Sequence, residues 1–315
     1  MMGFWREAGL ALGVLLLLLF APVVFSSPAF EDFIIRLSAL ALFATSLNLL
    51  IGASGMISFG HGMFYGFGAY AFALLMQRTT LSLLPAALLT LLLTALAALL
   101  VGALCIRLKT IYFAFVTLAI QMLFYSVIIS WESLTGGDQG LRGGIPRRVI
   151  AGLDLNHQIH LYQVCAVLLM AGLFAMRHVT ASPFGATLRM IRDNEARTAF
   201  LGIPLWRPKL AIFVLAAVFA ALGGMLASLF VSGAYPELAD WPISGQAIFA
   251  VMLGGIESFL GPLAGSAILL ALNDVFTRLT EYHGLVQGGV ILLFALGLRR
   301  GLLDFLRARG DAASP

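Results

Sequence analysis

Apolar stretches about 20 residues long, separated by short polar connections, recur along nearly the whole chain, and this is the pattern of membrane-crossing helices. Ten such stretches lie near residues 8–26, 33–53, 58–76, 81–106, 111–131, 159–176, 210–233, 244–256, 259–277 and 284–299. The eighth is short and the ninth contains Asn273 and Asp274, so either can be a re-entrant or broken segment. Eight or nine full crossings therefore satisfy the same pattern as ten. The period-2 alternation of a membrane barrel is absent. The expected fold is an all-α polytopic membrane protein with about ten helices. The longest polar stretches are about 30 residues, too short for a core of their own. The chain thus reads as one transmembrane unit over 1–315, with a Gly-rich loop at 132–158 and a basic loop at 177–209. The first apolar stretch follows Arg6 and reads as a crossing rather than a cleaved leader, because no small-x-small site follows it.

Arginine and lysine in short loops set the orientation. With the 177–209 loop on the cytoplasmic side, four crossings later the tail residues Arg299, Arg300, Arg307 and Arg309 are cytoplasmic too. Counting backwards places Arg107, Lys109 and Arg6 on the same side and Glu31 and Asp32 outside. Both termini are then cytoplasmic. The 132–158 loop falls outside although it holds Arg142, Arg147 and Arg148. With Gly136, Gly137, Gly140, Gly143 and Gly144 and no apolar period, it reads either as a solvated connector or as an external docking surface that includes Asp138, Arg142, Arg147 and Arg148.

Composition agrees with a membrane fold. Of 315 residues, 61% are hydrophobic and 11% charged, against about 25% charged in soluble domains. The net charge of +4 sits in loops and tail, where topology accounts for it, so no nucleic-acid partner is expected. Cys105 and Cys165 lie inside apolar runs and read as buried free thiols. No catalytic or metal-binding set stands out. The two lysines, Lys109 and Lys209, do not follow a glycine, so the chain holds no phosphate-cradling P-loop. Any nucleotide chemistry must come from another chain.

The basic loop carries the most information. Arg177, Arg189, Arg192, Arg197, Arg207 and Lys209 face only Asp193 and Glu195. Ser182-Pro183 is a helix start, with serine to cap the free amides and proline fitted to the first turn. Phe184, Leu188 and Ile191 then fall on one apolar face, with Arg189 and Arg192 beside it. Asp193-Asn194 interrupts the helix, and a second short turn from Glu195 ends at Gly202, a left-handed cap, with Pro204 beyond. An apolar ridge with basic flanks suits a groove on a partner protein or the surface of an anionic leaflet.

The run SPFGATLRMIRDNEARTAFLGI, from Ser182 to Ile203, resembles the cytoplasmic coupling loop of the branched-chain amino acid ABC transporter permeases, in particular their LivM-like subunit. The segments Leu47 to Gly62 and Gly66 to Tyr70 are similar to that family's second and third spans. Trp131 to Leu141, Gly144 to Pro146, and Leu253 to Ile256 with Gly261-Pro262 also resemble it, so the likeness covers roughly 35–300. One departure concerns the coupling motif of importers in general, which places glycine six residues after its glutamate. Here Glu195 and Gly202 are seven apart. The resemblance implies a non-enzymatic permease subunit in a bacterial-type inner membrane. It would pair with a second, homologous permease and be driven by two cytoplasmic ATPases that bind ATP and Mg. A binding protein would deliver branched-chain or similar amino acids; related machines carry urea, short amides or other amino acids. Phe184, Leu188, Arg189, Ile191, Arg192, Glu195 and Gly202 would form the coupling element.

Two glycine-rich runs, Gly52 to Gly68 and Gly254 to Gly265, permit close helix contact or a local break. In each a Ser-Phe pair, Ser58-Phe59 and Ser258-Phe259, leads into an interrupted span, as in transporters with paired broken helices. Asn48, Ser58, Gly60, His61, Gly62 and Gly261 are accordingly the candidates for a translocation pathway, with tight packing or interhelical hydrogen bonding as the alternative. Gln121 is a further polar group within a span. Asp274 is expected to pair with Arg278 one turn on, and Glu257 to mark a loop end. A rhomboid-like serine protease built on Ser54 and His283 is a remote alternative, because the expected topology puts those residues at opposite membrane faces. A transporter driven by an ion gradient would need more buried acids than Asp274.

Overall fold

The computed structural model describes residues 27–108, 110–146, 149–150, 152–297 and 301–305. The first apolar stretch with Arg6, and also Lys109, Arg147, Arg148, Arg299, Arg300, Arg307 and Arg309, lie outside the described residues. The rest is a helical bundle: α1 Pro28–Asn48, α2 Gly62–Arg78, α3 Leu83–Cys105, α4 Thr110–Ser130, α5 Gln158–Ala181, α6 Pro183–Asp193, α7 Glu195–Phe200, α8 Trp206–Val231, α9 Trp241–Gly254, α10 Gly261–Leu279 and α11 His283–Gly297. Among the described residues, five helices are long and apolar enough to cross a membrane: α1 with its extension to Ala53, α3, α4, α5 and α8. The nine expected crossings that fall on described residues each coincide with a helix to within a few residues.

α1 is the centre of the bundle. Its apolar window is 89% buried, against 28% for α3, although α3 is the more hydrophobic helix. α1 packs against α5, α8, α9 and α10, and α8 also packs against α2 and α3. Small residues allow these approaches. On α3 the residues Ala86, Thr90, Thr94, Ala98 and Gly102, spaced by four, are all buried, while Leu88, Leu92, Leu96, Leu100 and Leu104 on other faces stay exposed. Each threonine hydroxyl donates to the carbonyl four residues back, at 2.8 Å, so neither is left unsatisfied. The leucine face has the chemistry of a lipid-facing or subunit-facing surface.

Two breaks interrupt the bundle. α1 runs into a π-type turn, Leu49–Ala53, and ends at Gly55, whose φ of 73° is the left-handed conformation that glycine adopts without strain. α9 has 14 residues, about 21 Å at 1.5 Å per residue, and cannot cross a hydrocarbon core of about 30 Å alone. It stops at Gly254 before Gly255 (φ 114°), and α10 starts at Gly261-Pro262. The short eighth and interrupted ninth stretches of the sequence are therefore a broken pair.

Candidate functional site

The basic loop folds as read. Ser182 Oγ accepts from the Gly185 amide at 3.3 Å and caps α6, and Asn194 Oδ1 accepts from the Arg197 amide at 2.9 Å and caps α7. Thr198 Oγ1 donates to the Met190 carbonyl at 2.9 Å and holds the two helices together. Gly202 has the left-handed φ of 78° expected of the cap. The apolar ridge points differently from the expectation that it fills a partner's groove. Leu188 and Ile191 are fully buried and Phe184 packs on the core, so the ridge is spent on the chain's own helices. Glu195 is likewise engaged within the chain, in an ion pair with the buried Lys209. The apolar groups this loop leaves for a partner are instead Phe200, 91% exposed, and Leu201, 64% exposed. They were legible in the sequence as two large apolar residues next to the Gly202 cap.

α6 lies against the π-type turn of α1. The Arg192 Nη1 donates to the Gly52 carbonyl at 2.5 Å, and its Nε lies 3.2 Å from Asp193 Oδ1. Arg189 Nη1 donates to the Thr180 carbonyl at 2.7 Å. A cavity of about 860 Å³ opens between α6, the end of α1, α5 and the second break. Thr45, Asn48 and Gly52 line one side, Arg177, Arg189 and Arg192 another, and Glu257 with Phe259 and Leu263 a third. The two breaks meet here: Asn48 Nδ2 donates to the Ile256 carbonyl at 3.3 Å. The likeness of Ser58-Phe59 to Ser258-Phe259 extends to structure, since each pair follows a left-handed glycine by three residues and each serine hydroxyl is buried without a partner.

Of the six residues proposed for a pathway, Asn48 lines this cavity; Gly60, Gly62, Gly261 and His61 take packing roles and Ser58 is buried. A Cβ on Gly60 would collide with the Thr117 carbonyl, and one on Gly261 with the Gly255 carbonyl. One on Gly62 would sit 2.7 Å from Ser244 Oγ and 2.8 Å from Gln121 Nε2. The Gly62 amide donates to Ser244 Oγ at 2.7 Å, Ser244 Oγ donates to Gln121 Oε1 at 2.8 Å, and Gln121 Nε2 donates to the carbonyls of Ala239 and Asp240 at 3.1 and 2.8 Å. This buried chain of bonds joins α2, α4 and α9. His61 is fully buried, stacked on Phe43 with centroids 5.5 Å apart, and its Nε2 is 2.9 Å from Ser46 Oγ. The Ser46 hydroxyl donates to the Phe43 carbonyl at 2.7 Å, so His61 is the donor in this pair. That is the reverse of a histidine base drawing a proton from a serine nucleophile. Ser54 donates to the Leu50 carbonyl at 2.8 Å.

Asp274 corrects a further expectation. It pairs not with Arg278 but with Arg36, through two bonds of 2.8 and 2.7 Å that tie α10 to α1. The fork geometry of guanidinium on carboxylate makes this the stronger choice, and only tertiary packing brings residues 238 apart together. An arginine inside an otherwise apolar span was the available signal.

The 132–158 loop lies at the other end of α5. It is packed and not a bare connector. It holds a one-turn helix, Glu132–Thr135, a tight turn, Gly137–Gln139, and a two-residue antiparallel hairpin, Val149–Ile150 with Leu153–Asp154. Leu141, Ile145 and Leu155 are buried, the Leu141 amide donates to Ala234 at 2.8 Å, and Gln77 Nε2 donates to Gly144 at 2.9 Å. Asp138 and Arg142 are exposed, with the Arg142 guanidinium on Gln139. Asp154 accepts from the backbone amide and side chain of Asn156, which holds its carboxyl below the usual carboxylate range.

The profile of the branched-chain amino acid transport system / permease component family matches residues 29–295. The chain belongs to this family. Among curated relatives, it is 27% identical over 284 residues to the high-affinity branched-chain amino acid transport system permease protein LivM of Escherichia coli, covering 83% of this chain and 67% of that one. It is also 27% identical over 286 residues to LivH of Salmonella typhimurium, covering 84% and 91%. The ribose import permease RbsC of Bacillus subtilis matches 48% of this chain at 28% identity. No solved structure matches. The permease reading, the transport role and a multi-pass membrane location stand on these matches together with the apolar spans.

Proposed function

We propose that this permease is one of a pair of membrane-spanning subunits in an ATP-binding-cassette importer of branched-chain or similar apolar amino acids. Its partner is a second, homologous permease, in keeping with the similarity to both LivM and LivH. Two cytoplasmic ATPases bind ATP and Mg and drive the pair. A binding protein delivers the amino acid to the face bearing the 132–158 loop, where Asp138, Arg142, Arg147 and Arg148 are the docking residues. The amino-acid assignment is supported by matches spanning more than four-fifths of the chain, where the sugar permeases match less than half.

One observation carries the coupling. The loop helix α6 is seated by Leu188 and Ile191 directly under the break of α1, with Arg192 bonded to Gly52. A push on this loop moves the broken helix, because the two share a packed core and not a flexible tether. Phe200 and Leu201 are the contact points for the ATPase, while Arg189, Arg192 and Glu195 hold the loop rigid. In proteoliposomes holding the complete complex, leucine uptake is expected to require the ATPases and internal ATP and to survive collapse of proton and sodium gradients. Uptake that follows an ion gradient without ATP would overturn the proposal.

A further inference from the structure

We propose that the groove between α3 and α8, on the side of the basic loop, seats one acyl chain of an anionic phospholipid whose phosphate meets Arg207. The inference goes beyond the importer reading and needs only the membrane location.

α3 and α8 close on each other at Gly102, where a Cβ would stand 2.7 Å from Leu210 Cδ1 and 2.9 Å from Phe213 Cδ1. Beside this contact a groove of about 570 Å³ opens at the surface. Leu99 of α3 and Leu210, Val214 and Phe219 of α8 line it, with Trp206 and Arg207 at one end. From Trp206 to Phe219, at 1.5 Å per residue, it follows α8 for about 20 Å. One leaflet's share of a hydrocarbon core of about 30 Å is about 15 Å, so the groove is long enough to carry a lipid tail to the bilayer midplane.

Shape and charge select the occupant. A helix about 10 Å across and 20 Å long occupies on the order of 1,600 Å³, roughly three times the space in the groove, so a partner's span does not sink into it. A single hydrocarbon chain is slender enough. The charge lies at one end only. Among the described residues no acid lines the groove, and Arg207 is exposed. The contact at Gly102 joins the end of α3 to the start of α8, so the exposed Arg107, just beyond α3, shares a membrane level with Arg207. Glu195 of the adjoining loop is bound to Lys209 and not to either arginine. Trp206, 55% exposed, adds the amphipathic ring typical of the headgroup level. A guanidinium fork matches a phosphate, and an anionic leaflet attracts basic residues near its surface. A zwitterionic lipid would bring its own cation up to the two arginines, which disfavours it. Because Lys209 on the same turn of α8 holds Glu195 of α7, the headgroup lies at the joint where the basic loop enters the bundle.

The test is photo-cross-linking in nanodiscs. The full chain, purified with the subunits that accompany it, is exposed to phosphatidylglycerol carrying a diazirine on one acyl chain, and the labelled peptides are mapped. Labelling is expected to concentrate around Leu99 and along 206–219. Unlabelled phosphatidylglycerol should compete about tenfold better than phosphatidylcholine, and Arg207→Gln should lower that preference about fivefold. Ala211→Trp fills the groove and should abolish labelling there, while the exposed Ile111, Phe115 and Leu123 of α4 stay labelled. Arg207 and Ala211 are both exposed, so the melting temperature of each variant should match the parent. Labelling spread evenly over the exposed residues of α3 and α4, or equal competition by phosphatidylcholine, would mean ordinary solvating lipid and overturn the site. Labelling of α4 with none in the groove would mean that a protein covers it, which overturns the site as well. So would an unchanged lipid preference in folded Arg207→Gln.

Discussion

Phe200 offers the most direct test of coupling. It is 91% exposed at the end of α7, beside Leu201 at 64%. Among the described residues these side chains are largely exposed, so Phe200→Ser should change stability by no more than about 0.5 kcal/mol, the usual range for surface sites. Docking on an ATPase would remove nearly all of that exposed area from water. Full burial of a phenylalanine contributes about 1.5–3 kcal/mol, and about 1.4 kcal/mol is tenfold in affinity, so the variant should weaken permease–ATPase association by about 10- to 100-fold. Leu188→Ala is the control. Leu188 is fully buried, so its truncation should cost about 2–5 kcal/mol of local stability and lower the melting temperature. The assay is titration of purified ATPase onto the permease pair in nanodiscs, with melting curves alongside. An unchanged affinity for Phe200→Ser would refute the exposed-knob account. So would loss of affinity in a Leu188→Ala protein whose melting temperature had not moved, since that would put the buried ridge back at the interface.

Three further outcomes follow from the packing. Gln121→Leu removes the acceptor of Ser244 and the donors to Ala239 and Asp240 in a buried network, and should cost about 2–4 kcal/mol, read as a fall in melting temperature of the reconstituted permease. Arg36→Ala and Asp274→Ala should each destabilise by about 1.5–3 kcal/mol, while the double variant costs less than their sum; strict additivity in a double-mutant cycle would mean that the pair contributes no coupling. Gly60→Val should block folding or assembly outright, because its Cβ would overlap the Thr117 carbonyl on α4; a well-assembled variant with a selective transport defect would return Gly60 to the pathway.

Much of this fold was legible because lipid imposes simple rules. A backbone in hydrocarbon must satisfy its own hydrogen bonds, so apolar runs become helices, and those expected on described residues are helices within a few positions. Local chemistry was equally readable: Ser182-Pro183 starts α6, Asn194 starts α7 and Gly202 ends the loop. These signals act over a single helical turn.

What the sequence left open was direction and partnership. Phe184, Leu188 and Ile191 share a face in any helix of this register, but whether that face meets a partner, a leaflet or the chain's own core depends on what stands opposite. α3 is more hydrophobic than α1 and yet lies at the periphery, because hydrophobicity no longer separates inside from outside where the solvent is itself apolar. Position was set by small residues and buried polar groups meeting across long sequence gaps, as in Arg36 with Asp274, Gly62 with Ser244 and Gln121, and Asn48 with Ile256. The residues alone thus determined the helices, their caps and the family motifs. Only the tertiary structure decided which faces are spent internally, where the two breaks meet and what cavity they enclose, since those depend on distances between residues that the chain order does not contain.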